Sequence, residues 1–148
     1  VQSQLIHLFQ AQIKQQRYTL VFFNHIETMK DAYHKYRAHI PNLICVYSED
    51  VYRFDKVEAL RRGEHSIVFT TTILERGFTM ARLDVIVINA ETFSKAALIQ
   101  IAGRVGRKME EPKGLVLFLL QSGGAGKQIK VQREPLRISL DMSLLACF

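Results

Sequence analysis

The sequence predicts an α/β fold in which helices cover both faces of a mostly parallel sheet. Three observations support this: several short apolar runs, helical stripes between them, and polar residues directly after the runs. The runs are continuously apolar and do not alternate, so we expect strands that are buried on both faces. They cover residues 20–23, 43–47, 66–70, 84–88 and 114–120.

The intervening segments have apolar residues at helical spacing. Ser48, Glu49 and Asp50 form an N-cap cluster for one of these helices, which we expect to end at Gly63. Beyond Leu120 the pattern weakens. The expected helices cover residues 4–16, 26–36, 51–62 and 94–102.

Composition favours one globular domain with a full core, because 48% of the 148 residues are hydrophobic and no apolar run reaches membrane-spanning length. The net charge of +6 supports polyanion binding only weakly. Cys45 and Cys147 are far apart, and no Cys or His cluster has metal-ligand spacing. We therefore expect a cytoplasmic protein without a metal site, and a chain that begins inside a longer protein.

Polar residues follow the apolar runs, where ligands of parallel sheets gather. Asn24 and His25 follow the first run, and Asn89 to Glu91 follow the fourth. Thr70, Thr71 and Thr72 end the third run and place hydroxyl groups beside a helix start, an arrangement that suits a phosphate. The alternative is a strand end followed by an ordinary N-cap.

The segment 100–107 is the most informative feature of the chain. Gln100, Arg104 and Arg107 are four and three residues apart and share one face of a helix. Gly103 and Gly106 lie between these residues, although each glycine costs about 1 kcal/mol relative to alanine in a helix. Fixed guanidinium charges beside bare backbone suit a polyphosphate. The alternative is a surface helix end with a glycine C-cap.

The chain lacks the parts that hold a nucleotide by themselves. The run 124–127 is not a phosphate loop, because Gln128 follows Lys127 where Ser or Thr is required and Gln121 stands at the first glycine position. No Asp-Glu pair ends a buried strand. The chain thus has arginines suited to an outer phosphate but no loop that could hold the nucleotide. This combination indicates one half of a two-lobed motor, in which the other lobe binds the nucleotide.

The motifs together resemble the C-terminal domain of superfamily 2 helicases. The segments TTTILERGFT (70–79) and QIAGRVGR (100–107) are similar to motifs V and VI, and LVFFNHI (20–26) is similar to motif IV. The residues of these motifs most resemble those of the ComFA-type late-competence proteins, which are helicase-like ATPases of DNA uptake. PriA-like or RecG-like helicases are the alternative. This resemblance implies a RecA-like three-layer sandwich with a sheet of five to six strands.

The resemblance also implies roles for individual residues. Arg104 and Arg107 would reach the γ-phosphate of ATP, with Gln100 assisting. Three further residues would lie at the nucleotide, namely Gly77, Thr79 and Gly103.

Four residues would contact single-stranded nucleic acid. Thr71 and Thr72 would hold a backbone phosphate, and Asn24 and His25 would touch the strand from the motif IV loop.

ATP would be shared with an N-terminal RecA-like lobe of the same protein, and that lobe would hold Mg²⁺. The other implied partners are single-stranded DNA and other competence proteins, in the cytoplasm or at the inner face of the membrane. One domain would span residues 1–148, with a core at about 18–121. The tail at 122–148 stays unassigned as a helix, a strand that pairs elsewhere or a disordered end.

Two other functions stay open at this point. One is a non-catalytic module that binds nucleic acid or docks a partner. The other is a metabolic α/β enzyme whose segment 103–107 binds a phosphorylated metabolite. Under the motor hypothesis, we expect this lobe alone to hydrolyse no ATP.

Overall fold

The computed structural model describes residues 2–71, 82–102, 114–119, 128–133 and 136–141. Its helices are Gln2–Lys14 (α1), Ile26–Tyr36 (α2), Arg53–Arg61 (α3) and Lys95–Ala102 (α4), with a 3₁₀ turn at Ala90–Thr92 before α4. Its strands are Tyr18–Phe22 (β1), Ile44–Val46 (β2), Ile67–Thr70 (β3), Leu83–Ile88 (β4), Gly114–Leu119 (β5), Gln128–Arg133 (β6) and Leu136–Asp141 (β7).

The strands form one sheet in the order β2-β3-β1-β4-β5-β7-β6. Every neighbouring pair is parallel except β6 and β7, which are antiparallel. The predicted α/β architecture with a mostly parallel sheet is therefore confirmed. The sheet has seven strands in the described residues, more than the five to six expected, because the tail contributes β7 beside β5 and β6 outside it. Of the alternatives for the tail, residues 128–133 and 136–141 form strands.

Two separate cores lie on the two faces of the sheet, as three-layer packing requires. Alternate residues of each central strand point to opposite sides: on β1, Leu20 and Phe22 enter one core, and Val21 enters the other. Helices α3 and α4 cover the first face with Val57, Leu60, Ile101 and Ala102. Helices α1 and α2 cover the second face with Leu5, Phe9, Met29, Ala32 and Tyr36.

Aromatic rings fill the core beneath α1 and α2. Phe69 on β3 is fully buried, and its ring centroid lies 5.1 Å from that of Phe23, 6.1 Å from that of Phe9 and 6.3 Å from that of Tyr36. Phe9 and Tyr36 also meet edge to face. One strand residue thus joins α1, α2 and the end of β1.

Helix α3 begins later than the sequence pattern predicts. The cluster at 48–50 does not cap the helix; the N-cap is Tyr52, whose backbone N–H bonds Oδ1 of Asp50 at 2.9 Å. The chain makes two successive turns, closed by bonds from Asp50 N to Tyr47 O (3.1 Å) and from Arg53 N to Asp50 O (3.0 Å). The Asp50 side chain therefore shapes the loop before the helix, as Asp commonly does in turns.

Candidate functional site

The carboxyl ends of four strands form one edge of the sheet. Thr70 on β3 pairs with Val46 on β2 and with Phe22 on β1, and Phe22 pairs with Val87 on β4. The loops that follow these strands therefore leave the sheet side by side, about 4.8 Å apart from strand to strand. This is the edge at which parallel sheets bind ligands.

Asn24 and Thr71 are neighbours at this edge. The backbone N–H of Phe23 bonds the carbonyl oxygen of Thr70 at 2.8 Å, so the residues that follow, Asn24 and Thr71, leave adjacent strands together. Thr70 is fully buried, Thr71 is partly exposed and Asn24 is exposed. The structure thus brings two of the predicted nucleic-acid contacts together at the surface.

Asn24 is held in place by a residue that the sequence did not single out. Its Nδ2 donates to the carbonyl oxygen of Thr92 at 3.0 Å, and the Thr92 hydroxyl donates to the Asn89 carbonyl at 2.6 Å. Asn89 itself adopts a left-handed conformation, with φ 54° and ψ 54°. An amide nitrogen carries two hydrogens, so the bond to Thr92 uses one and orients the second.

His25 is exposed and occupies the N-cap position of α2 with extended backbone. Its side chain makes no capping hydrogen bond. Its carbonyl oxygen accepts the first helical bond, from Met29 N at 3.1 Å. The structure therefore places His25 at the same edge as Asn24, on the surface.

Gln100 lies on α4, which the Ser94 hydroxyl caps by accepting a bond from Ala97 N at 3.1 Å. Its side chain is exposed, whereas the next residues, Ile101 and Ala102, are buried against the sheet. Helix α4 covers the opposite face from α2. Gln100 therefore lies on a helix that packs against the opposite face of the sheet from α2, the helix that His25 precedes.

The other predicted site residues lie outside the described residues, and their roles stay predictions. They are Thr72, Gly77, Thr79, Gly103, Arg104 and Arg107. The glycine-rich run at 124–127 also lies outside them.

A surface cavity of about 430 Å³ lies at the opposite end of the strands and does not coincide with the predicted site. The Arg82 guanidinium in its lining donates to the carbonyl oxygens of Gln16, at 2.8 Å, and Gln15. Within residues 2–71, 82–102 and the described strands beyond them, no three Cys, His, Asp or Glu side chains are placed to hold a metal ion. None of the described helices is long and apolar enough to span a membrane.

The fold and the sequence together define a helicase domain. The sequence model of the family called helicase conserved C-terminal domain matches residues 2–109, so the chain belongs to this family. Its curated relatives include Competence protein ComFA of Streptococcus pneumoniae, with 40% identity over 116 residues. That match covers 72% of this chain and 26% of the relative.

A further relative and a solved structure agree with this assignment. ComFA of Bacillus subtilis is 34% identical over 108 residues, covering 72% of this chain and 23% of that protein. The chain thus spans about a quarter of the length of the ComFA proteins. The C-terminal domain of a Saccharomyces cerevisiae Dbp5 variant, solved with Gle1 and IP6, superposes with a TM-score of 0.55. It is 14% identical and covers 79% of this chain and 70% of that one, which supports the RecA-like fold.

Proposed function

We propose that this chain is the C-terminal motor lobe of an ATP-dependent DNA helicase or translocase, similar to ComFA and acting on single-stranded DNA during competence. The observation that carries the proposal is the adjacent placement of Asn24 and Thr71 at the carboxyl edge of a helicase C-terminal fold. An N-terminal lobe of the same protein would bind ATP and Mg²⁺ against this lobe. Other competence proteins, at the cytoplasmic side of the membrane, are the further partners that we propose.

On the nucleic-acid side, the available groups suit a sugar-phosphate backbone. Hydroxyl and amide donors of Thr71, Thr72 and Asn24 can bond phosphate oxygens, and His25 directly follows Asn24 at the same edge. Contacts of this kind position a strand without reading its bases, so we expect binding that is independent of sequence. A motor that must move along any DNA requires that property.

On the ATP side, Arg104 and Arg107 would neutralise the charge that develops on the γ-phosphate, and Gln100 would help to position it. A guanidinium remains protonated in proteins, so its charge is present at every stage of the cycle. Gly77, Thr79 and Gly103 would let the backbone approach the nucleotide closely. An arginine supplied from a second domain contributes a factor of about 10³ or more in rate.

The ATPase test uses the full-length protein with Arg107→Ala. We expect DNA-stimulated turnover to fall by about 10³ while ATP binding by the N-terminal lobe persists. Arg62→Ala is the matched control, because Arg62 is an exposed arginine that pairs with Glu64 after α3, and it should retain full activity. Normal turnover of Arg107→Ala would refute the arginine assignment. A full-length protein that binds DNA but hydrolyses no ATP would instead indicate a non-catalytic module.

The nucleic-acid test compares Thr71→Val with Thr28→Val in the full-length protein. Both changes replace a hydroxyl by a methyl group, but Thr28 lies on α2. We expect Thr71→Val to weaken single-stranded DNA binding by about tenfold, irrespective of base sequence, as loss of a hydrogen bond to a charged phosphate predicts. Equal affinities of the two variants would exclude Thr71 from the interface.

A further inference from the structure

Three large hydrophobic side chains lie exposed in the loop between β2 and α3 and at the start of α3. Val51 is 87% exposed, Tyr52 64% and Phe54 69%. Among the side chains that the structure describes, Ile99 is the one other large hydrophobic with comparable exposure. A single exposed apolar residue is ordinary, but three within four positions form a patch, and such patches mark interaction sites. We call Val51, Tyr52 and Phe54 the β2–α3 patch.

The patch stands on a fixed support. The Asp50 side chain, 4% exposed, accepts a bond from Tyr52 N at 2.9 Å and forms a 2.5 Å ion pair with Nζ of Lys56. The same ammonium donates to the carbonyl oxygen of Cys45 on β2 at 2.9 Å. These bonds tie the loop to both the strand before it and the helix after it. The loop therefore presents its aromatic rings to solvent in a defined position.

The patch lies beside the edge where Thr71 and Asn24 emerge. Strand β2 ends at Val46, which pairs with Thr70, the residue before Thr71. The loop turns twice between Tyr47 and Arg53, so Tyr52 stays within two turns of the end of β2. One strand spacing, about 4.8 Å, separates the end of β2 from the end of β3. A strand of nucleic acid that crosses the ends of β1 and β3 would next meet the patch.

The charges around the patch favour bases over phosphates. Residues 49–56 carry two cations, Arg53 and Lys56, against three carboxylates, Glu49, Asp50 and Asp55, so this segment offers no net attraction for phosphate. Lys30 is engaged with a ring, its Nζ lying 4.9 Å from the centroid of Tyr47. Exposed aromatic faces on a segment without net positive charge are suited to stacking with nucleobases, which does not depend on the base sequence.

We propose that Tyr52 and Phe54 form a base-stacking site for the same single strand whose backbone contacts Thr71 and Asn24. The inference rests on the proposed function and adds a second kind of contact to it. Thr71 and Asn24 hold phosphates, whereas the β2–α3 patch holds bases. Stacking two bases on a fixed loop would keep the strand on this lobe while the other lobe moves.

The experiment measures the binding of fluorescently labelled oligothymidine to the full-length protein, and of an equally long strand made of abasic nucleotides. Tyr52→Ala and Phe54→Ala are each expected to weaken oligothymidine binding about tenfold. Tyr52→Phe should bind oligothymidine as wild-type protein does, because it keeps the aromatic ring. Ile99→Ala is the matched control, since it removes an exposed apolar side chain from α4.

Two readouts separate stacking from other causes. The slope of log affinity against log salt concentration should stay unchanged in both alanine variants, because no phosphate contact is lost. The abasic strand should bind wild-type protein and the alanine variants equally. Wild-type affinity for oligothymidine in both variants would overturn the inference and indicate a protein partner for the patch. A wild-type protein that binds neither strand would overturn the proposed function as well, whereas binding that Thr71→Val alone weakens would overturn only the stacking site.

Discussion

Arg17 and Asp84 form a doubly hydrogen-bonded ion pair at the amino ends of β1 and β4. Nε of Arg17 lies 2.6 Å from Oδ2 of Asp84, and Nη2 lies 2.8 Å from Oδ1. The same carboxylate accepts bonds from Nε2 of Gln12 on α1, at 2.6 Å, and from the backbone N–H of Leu115 on β5, at 2.8 Å. With its side chain 3% exposed, Asp84 joins a helix and two other strands to β4.

We expect Asp84→Ala to be among the most destabilising single changes in the chain. It would remove the carboxylate that pairs with the largely buried guanidinium of Arg17 and accepts the Leu115 N–H, which costs about 3–5 kcal/mol. Urea unfolding followed by circular dichroism measures this loss. Glu64→Ala is the control, because its pair with Arg62 is exposed and its removal should cost less than about 1 kcal/mol. Equal effects of the two changes would contradict the structural role of Asp84.

Phe69→Ala should destabilise the domain by about 3–5 kcal/mol, because it removes the ring that joins three other aromatic side chains. Phe69→Leu preserves much of the volume and should cost less. Thermal unfolding of the two variants beside Ile99→Ala, a truncation at the surface, would test this order. A loss for Phe69→Ala no greater than that for Ile99→Ala would show that the aromatic cluster is not a core.

The Asp50–Lys56 pair predicts a loss of stability in acid. Burial alone would raise the pKa of Asp50, but bonds from Lys56 and Tyr52 N, with the charges of Lys56 and Lys30, outweigh burial and lower it. The unfolded chain therefore takes up this proton at a higher pH than the folded chain does. The stabilisation is complete above the unfolded pKa of about 3.9 and is lost as the pH falls through the lower, folded value.

Asp50→Asn should therefore destabilise the chain by about 1–3 kcal/mol at neutral pH, and the difference from wild type should shrink as the pH falls below about 4. Urea midpoints measured across the acid range give this difference directly. Glu49→Gln, at the exposed neighbouring position, serves as the control and should track the wild type. A difference that stays constant down to the acid transition would show that the Asp50 charge contributes no stability.

Gly63 should not accept a side chain. Its φ is +77°, and a Cβ atom there would lie 2.7 Å from the Tyr18 hydroxyl oxygen. Gly63→Ala is expected to cost about 1–2 kcal/mol from backbone strain and this clash. In the Tyr18→Phe background the clash disappears and the strain remains, so the cost of Gly63→Ala should fall but not vanish. Equal costs in both backgrounds, measured by urea unfolding, would assign the whole effect to the backbone.

The strands β1 to β5 were predictable because each contains a run of at least three consecutive apolar residues, which the two cores require. The strands β6 and β7 were not, because polar and apolar residues mix in 128–141 and nothing local states that the segment pairs with β5. The late start of α3 depends on which backbone N–H donates its hydrogen bond to the Asp50 side chain; in the structure it is that of Tyr52. That choice depends on tertiary contacts with Lys56 and Cys45.

For the candidate site, sequence order was sufficient to place Asn24, His25 and Thr71 at one edge, since each follows a parallel strand. It was insufficient for Thr92, whose contact with Asn24 uses a backbone oxygen that any residue would supply. The exposure of Phe54 was also hidden, because its spacing of three from Val57 suggests the buried side of a helix. Asp84 finds Arg17 only through the sheet, since the two are 67 positions apart in the chain.

The position of β1 has a consequence for synthesis of the protein. Among the described strands of this domain it comes first in sequence, yet it lies inside the sheet, and both of its neighbours, β3 and β4, come more than 40 residues later. When only α1, β1 and α2 of this domain have been synthesised, the apolar residues Leu20 to Phe22 of β1 have no hydrogen-bonding strand on either side. Pairing between strands that are distant in sequence is slow, and apolar surface that is prone to aggregate stays exposed until it occurs. We therefore expect the emerging polypeptide to depend on ribosome-associated chaperones until residue 88 has left the exit tunnel.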